Sequence, residues 1–286
     1  MVTPRAMSDQ PRDAAPNSLI LHEPGELVIR NVNWAGMFAL YVKEVRRFMK
    51  VQLQTVWAPA LTTLLYLVIF SLALGRGGMT VMGVPFAHFI APGLIIMGMI
   101  QSAYQNASFS LLVGKMQGTI VDFLMPPVSA GELLFALVAS SITRGVMVGL
   151  AIWLAMVFWP GVNVMPTHIW AILWFGLMGT AMLSFIGVLT SIWAEKFDHA
   201  AAIANFVVAP LALLSGTFYS MDNVAPLFRD ISHANPFFYA ISGFRYGFLA
   251  EADSHIMLGA GVLLVLNIVL AAVCYRALAK GWKIKA

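Results

Sequence analysis

Apolar runs separated by short polar stretches dominate the chain, and most of them are long enough to cross the hydrocarbon of a bilayer as a helix. The pattern predicts six spans, Val56 to Leu74, His88 to Gly114, Leu133 to Trp159, His168 to Ala194, Ala200 to Leu214 and Ile256 to Ala277. Ahead of them, Trp34, Phe38, Tyr41, Val45 and Phe48 recur at helical spacing while Lys43, Arg47 and Lys50 gather on another face. That is the pattern of an amphipathic interfacial helix over 33–54, its basic side toward lipid headgroups. In the second span Gln101, Gln105 and Ser108 share a stripe with Asn106 nearby, and in the fourth Gly176, Thr180, Ser184, Gly187 and Ser191 form a stripe of small residues. Polar stripes in membrane helices hold neighbouring helices together, and small ones let them approach closely. Arg144, in the third span, lies near enough to the start of the apolar core to snorkel to that side.

Two stretches fit neither span nor solvated loop. The first, Lys115 to Glu132, holds a short helical piece from Ile120 to Met125 that Gly118-Thr119 opens and Pro126-Pro127 ends, because proline cannot continue a helix. Ser129 to Glu132 then matches a capping box and starts the next span. A short helix carrying Ile120, Phe123 and Leu124 beside Asp122 is shaped to be gripped by a partner. The second stretch, Pro210 to Leu249, is too broken for one span and too apolar for a loop in water. Asn235-Pro236 reads as an N-cap with proline at the first helical position, and Asp222-Asn223 can cap a short helix through Val224, Leu227, Phe228 and Ile231. Either this segment forms a lid over something, as irregular backbone at membrane depth requires, or it lies on the membrane surface.

Composition places the chain in a membrane: 60% of its 286 residues are hydrophobic, 10% are charged, and the mean hydropathy is +0.82. The net charge of +4 sits on the flanks of apolar runs, which orients a membrane protein and does not indicate nucleic-acid binding. With six spans both termini share one side, and every lysine falls there: Lys43, Lys50, Lys115, Lys196, Lys280, Lys283 and Lys285. The opposite side holds Arg76, Arg229 and Arg245. Both termini are therefore expected in the cytoplasm, with a disordered proline-containing leader over 1–32, a span-bearing domain over 55–277 and a basic tail over 278–286. Cys274, the single cysteine, allows no internal disulfide. Acidic residues and histidines are missing from the span centres, which disfavours an ion-coupled carrier. No H-E-x-x-H or phosphate-binding loop is present, so catalytic, cofactor-binding and metal sites are not expected.

The motif Pro210-x-x-x-x-Ser215-Gly216-Thr217-Phe218-Tyr219-Ser220, followed by Asn235-Pro236 and by Ile241 to Leu249 (ISGFRYGFL), resembles the ABC transporter type-2 permease family, nearest to its YadH-like inner-membrane members. Glu44 to Met49 (EVRRFM), Ala91-Pro92-Gly93-Leu94-Ile95 and Lys196-Phe197-Asp198 add to the likeness, which covers the chain from about Trp34 to its C-terminus. The resemblance implies the permease subunit of an exporter in a bacterial inner membrane, with an all-α fold of six transmembrane helices, an N-terminal amphipathic interfacial helix and external re-entrant helices between the fifth and sixth spans. It implies a homodimer bound to two copies of a separate ABC ATPase and to membrane lipids. ATP and Mg belong on that partner, with no cofactor on this chain. By the same likeness Gly118, Thr119, Ile120, Val121, Asp122, Phe123 and Leu124 couple to the ATPase. Glu44, Arg46 and Arg47 belong to the interfacial helix, and Ser215, Gly216, Phe218, Tyr219, Asn235, Pro236 and Arg245 to an external gate. Many members carry two acids after the position of Ile120, whereas here Val121 precedes Asp122. A membrane-anchored assembly or lipid-organising protein without a transport cycle is the alternative reading.

Overall fold

Helix boundaries in the computed structural model follow the ends of the apolar runs. It describes residues 32–75, 80–124, 127–159, 161–219 and 225–283. The leader to residue 31, residues 76–79 of the first turn, Met125, Pro126, Pro160, the Asp222-Asn223 cap and the last three residues of the tail lie outside the described residues.

Helix α1 covers Trp34–Met49, and the side chain of Asn33 caps it by accepting from the Gly36 N–H at 2.9 Å. A π-helical segment, Leu53–Trp57, leads into α2, Ala58–Gly75. A tight hairpin pairs β1, Thr80–Val81, with β2, Val84–Pro85. Its loop residues Met82 (φ 51°) and Gly83 (φ 72°) are both left-handed, as two-residue hairpin loops prefer. Then come α3, Phe86–Met116, the single turn α4, Val121–Leu124, and α5, Ala130–Val157. They are followed by α6, Ile169–Trp193. The next apolar rod combines α7, Phe197–Ile203, a second π-helical segment, Ala204–Val208, and α8, Ala209–Leu213. The chain closes with α9, Pro226–Ala234, α10, Pro236–Leu249, and α11, Ile256–Ala279. Among the described residues five stretches are long and apolar enough to cross a membrane: Leu53–Ala73, Phe86–Met116, Ala130–Val157, Ile169–Trp193 and Ile256–Ala279. Phe197–Leu213 is apolar but shorter.

Helix α3 is the centre of the bundle, packed on α2, α5, α6 and α10. The small residues of α6 explain the closeness of its contact with α3. A Cβ on Gly187 would lie 2.7 Å from the Cβ of Ala107 and 2.7 Å from the Tyr104 carbonyl oxygen. Thr180 and Ser184 are buried on the same stripe and turn their hydroxyls back to Gly176 O and Thr180 O, each at 2.7 Å, so no polar group is stranded. Leu94, Ile96 and Ile100 of α3, Val148 and Ile152 of α5 and Phe175 of α6 make the core between them. Helices α2 and α11 present Leu61, Leu65, Ile69, Val265, Ile268 and Val269 outward.

Two expectations change. Arg144 does not snorkel: it is 8% exposed and lies against Gln105, Nη2 donating to Oε1 at 3.4 Å. The cause is α1, which runs along the first half of α5 and covers that route, with Asn33 bonded to Glu132 and Tyr41 to Thr143. Arg47, on α1, leaves the outward basic face because Asn106 of α3 and Glu44 hold it inward, while Lys43, Arg46 and Lys50 stay exposed. Helix α9 starts on Pro226 with Ala225 at its N-cap position.

Candidate functional site

At the Met116 end of α3, residues that are far apart in sequence meet across one cleft of about 950 Å³. One wall is α1, with Lys43, Glu44, Arg46, Arg47 and Lys50, and the other is the end of α3 with Gln117, Thr119 and Asp122. The turn that builds the second wall is local. Gly118 takes φ +71°, which ends α3 at a backbone angle that glycine adopts at no steric cost. The Asp122 N–H then bonds back to Thr119 O at 3.0 Å and opens the single turn α4, which holds Phe123 and Leu124. Val121 and Asp122 are exposed, while Ile120 packs on the apolar cluster to which α1, α3, α5, α6 and α11 contribute.

This end is wired into the bundle. Glu44 is 1% exposed, and it accepts a hydrogen bond from the Ser110 hydroxyl and pairs with Arg47 at 2.9 Å. Arg47 Nη2 donates to Asn106 O at 3.1 Å and Oδ1 at 3.3 Å, and Asn106 Nδ2 donates to Ser141 Oγ at 3.0 Å. One polar chain thus joins α1, α3 and α5. The capping box of α5 is present, and it does more than cap. Glu132 accepts from the Ser129 N–H at 2.7 Å with one oxygen and from the Asn33 N–H at 2.6 Å with the other, while Asn33 Nδ2 donates to Pro127 O at 3.0 Å. The start of α1 is therefore tied to the loop that carries α4. Lys115 donates to the carbonyls of Ile192 and Ala194, which binds the end of α3 to the end of α6.

At the opposite end α3 meets a second constellation. Arg245, on α10, is completely buried. Its Nη1 pairs with Asp253 at 2.5 Å, its Nη2 donates to Gly216 O at 2.6 Å, and its guanidinium lies 3.9 Å over the ring of Phe89. Burial pulls its pKa down to about 10 against the opposing effect of Asp253, so it stays charged at neutral pH and needs that anion. Gly216 takes φ +72° and is buried in the turn after α8. Gly93, in the proline-containing part of α3, lets this turn come close: a Cβ there would lie 3.2 Å from Thr217 O. Asn235 caps α10 through its Oδ1, which accepts from the Phe237 N–H at 3.1 Å, and Pro236 takes the first helical position. The Asn235 amide also donates to Leu211 O at 2.8 Å and to Ser215 Oγ at 2.9 Å. The ring of Phe218 lies tilted at 43° against Phe70 of α2, with centroids 4.6 Å apart, and Tyr219 beside it is half-buried. Helix α10 is no surface loop, since Phe237, Phe238, Ile241, Phe244 and Phe248 are all buried.

The structure therefore gathers the coupling candidates with Glu44, Arg46 and Arg47 at one end and the gate candidates at the other. Sequence reading did not find Asp253, Phe89, Ser110 or the bond from Asn33 to Glu132. Gly93 stood in a motif already noted, Ala91 to Ile95, and that was the available signal.

The ABC-2 type transporter family matches residues 36–249, from the first turn of α1 to the last residue of α10. The inner membrane transport permease YadH of Escherichia coli K12 is 34% identical over 249 residues, which cover 87% of this chain and 96% of YadH. Nodulation protein J of Rhizobium leguminosarum bv. viciae is 24% identical over 83% of this chain and 90% of its own length. The counterpart in Sinorhizobium fredii NGR234 is 23% identical over 69% and 76%. Both constellations fall almost wholly within the matched residues, and with a relative this similar over nearly its whole length, the chain belongs to the ABC-2 type transporter family.

Proposed function

We propose that the chain is the permease subunit of an ATP-binding cassette exporter in a bacterial inner membrane, working as a homodimer with two copies of a separate ATPase. The observation that carries this reading is the cleft where α1 and the segment from Gly118 to Leu124 face each other, open to a partner and hydrogen-bonded into α3 and α5. ATP and Mg are handled by the partner, and this chain binds neither. The chain crosses the membrane six times, counting Phe197–Leu213, which is near the short limit for a span. Both termini are cytoplasmic, α1 lies at the inner interface with its exposed Lys43, Arg46 and Lys50 toward headgroups or the partner, and α9 and α10 re-enter from outside.

In this account, closure of the ATPase pair on nucleotide pushes on α4 and α1. Helices α3 and α5 are continuous through the bundle and transmit the push as rigid bodies. The outer end of α3 carries Phe89 and Gly93, so its movement acts on the turn at Gly216 and on Arg245, and a path opens at the dimer axis beneath α9 and α10. The test is Asp122→Lys. The variant is expected in the membrane at wild-type level with reduced co-purification of the ATPase, and unchanged co-purification contradicts the assignment of this face.

A further inference from the structure

We propose that Gln101, Gln105 and Asn205 form a neutral hydrogen-bonding station on the wall of the translocation path, one that takes an uncharged, hydroxyl-bearing group of the exported molecule. Helix α3 is closed in by its neighbours, and Gln105 is its one exposed residue between Phe86 and Lys115. Gln101, a turn earlier on the same stripe, is half-buried. Asn205, exposed on the second π-helical segment, borders the same cleft of about 80 Å³ as the two glutamines. Gln101 is the middle residue of α3, Phe86–Met116, and Asn205 is the middle residue of the apolar rod Phe197–Leu213. The three amides therefore meet at the depth of the bilayer centre.

These amides are open. The side chains of Gln101 and Asn205 make no hydrogen bond to described residues. Arg144 lies behind Gln105 and donates to its Oε1 at 3.4 Å; a guanidinium can only donate, so the Gln105 oxygen is turned inward and its NH2 is left for the cleft. The Tyr104 hydroxyl is directed to Thr190 Oγ1 and the Ala200 carbonyl, so this residue adds only ring surface. Hydrocarbon cannot satisfy amides. On the outer faces of the bundle the exposed side chains include Leu150 of α5, Leu173 of α6 and Val265 of α11, which suit lipid. An amide stripe at mid-depth instead faces water or a polar molecule, and in an exporter that place is the path. No charged side chain borders the cleft, so an ionic group would enter it without a counter-charge, whereas a hydroxyl both donates and accepts, as the amides do. The volume holds about two or three waters, so it seats part of a head group. The inference rests on the permease reading for the existence of a path.

The test uses neither ATPase nor transport, so its failure leaves the permease reading standing, and that reading fails separately if no ATPase co-purifies. Cys274, the single cysteine, is replaced by alanine, and cysteine is placed in turn at Gln105, at Asn205 and, as lipid-facing controls, at Leu150 and Val265. Native membranes carrying the full chain are treated with a charged, water-soluble methanethiosulfonate. Because the reagent needs a hydrated thiolate, Gln105→Cys and Asn205→Cys should react about tenfold faster than the controls. Decyl glucoside, decyl sulfate and decyltrimethylammonium are then added as probes to the protein purified in a polyoxyethylene detergent. The glucoside should slow labelling of Asn205→Cys about tenfold more than either charged probe does, and Gln105→Met should abolish that protection. Gln101→Met leaves the bond from Arg144 in place, and it decides the question if Gln105→Met does not fold. Labelling of both sites at the rate of the controls overturns the proposal, and a disulfide joining two copies through Gln105→Cys overturns it in favour of an interface between copies. Protection by the glucoside no better than by the charged probes, or protection that survives in both methionine variants, also overturns it.

Discussion

Asp253→Ala removes the anion from the most deeply buried charge among the described residues. In the ion pair the side chains of Arg245 and Asp253 are 1% and 3% exposed, so water cannot replace the lost carboxylate. What remains to Arg245 is the Gly216 carbonyl at 2.6 Å, the Thr217 carbonyl at 3.5 Å and the face of Phe89 at 3.9 Å. Breaking a buried pair by removing one partner costs about 3–5 kcal/mol. A desolvated cation–π contact, worth about 2 kcal/mol, already exists in the wild type and cannot compensate. The variant should therefore melt on the order of 10 °C lower. The double variant Arg245→Met/Asp253→Leu should recover most of the loss, because it removes both charges and keeps apolar volume, but it gives up the tie to Gly216. Thermal unfolding of the detergent-purified proteins, followed by size-exclusion chromatography of a fluorescent fusion, compares the three. Wild-type melting of Asp253→Ala refutes the reasoning, and so does a double variant that is no better than the single one.

The other expectations concern particular contacts. Gly216→Leu places a bulky side chain at φ +72° in a buried turn, and it should block transport while assembly with the ATPase persists; wild-type transport by this variant would remove Gly216 from the gate. Gly187→Ala forces α6 off α3 against Ala107 and the Tyr104 carbonyl, at a cost of about 1–3 kcal/mol visible as a lower melting midpoint; an unchanged midpoint means that the two helices adjust freely. Glu132→Ala removes an N-terminal cap worth about 1 kcal/mol and also releases Asn33. Amide exchange at the start of α1 should then quicken while the middle of α5 stays protected, and slow exchange at Met37 would count against the tie.

Features of the fold that depend on local spacing were legible in the residues. The long spans follow from unbroken apolar runs, and the start of α5 from Ser129 and Glu132, three residues apart. The small stripe on α6 points at a neighbour because its members share one face. What stayed hidden depends on residues brought together by tertiary packing. Glu44 looks like one more surface charge of an amphipathic helix until α3 brings Ser110 against it. The second oxygen of Glu132 reaches Asn33, 99 residues away, which no capping pattern encodes. Arg144 is misjudged for the same reason, since its depth along the helix suggests snorkelling and the obstacle is α1, a different segment. Arg245 could be marked as part of a motif, but Asp253 meets it only because the chain reverses at Ala250, a residue with φ 59° that has no glycine or asparagine to announce it. The two π-helical segments carry no clear composition signal either. They sit where polar residues meet the bundle surface, beside Gln52 and at Asn205.

The central claim is that another chain drives this one through the segment from Ile120 to Met125. The most direct measurement is affinity purification of the chain from its native membrane in mild detergent, with identification of every stoichiometric companion. The account predicts an ATP-binding cassette ATPase in equal number to the permease, retained by wild type and lost when residues 120–125 are replaced by a polar linker. A pure preparation without any ATPase, repeated with nucleotide and lipid present, would contradict it.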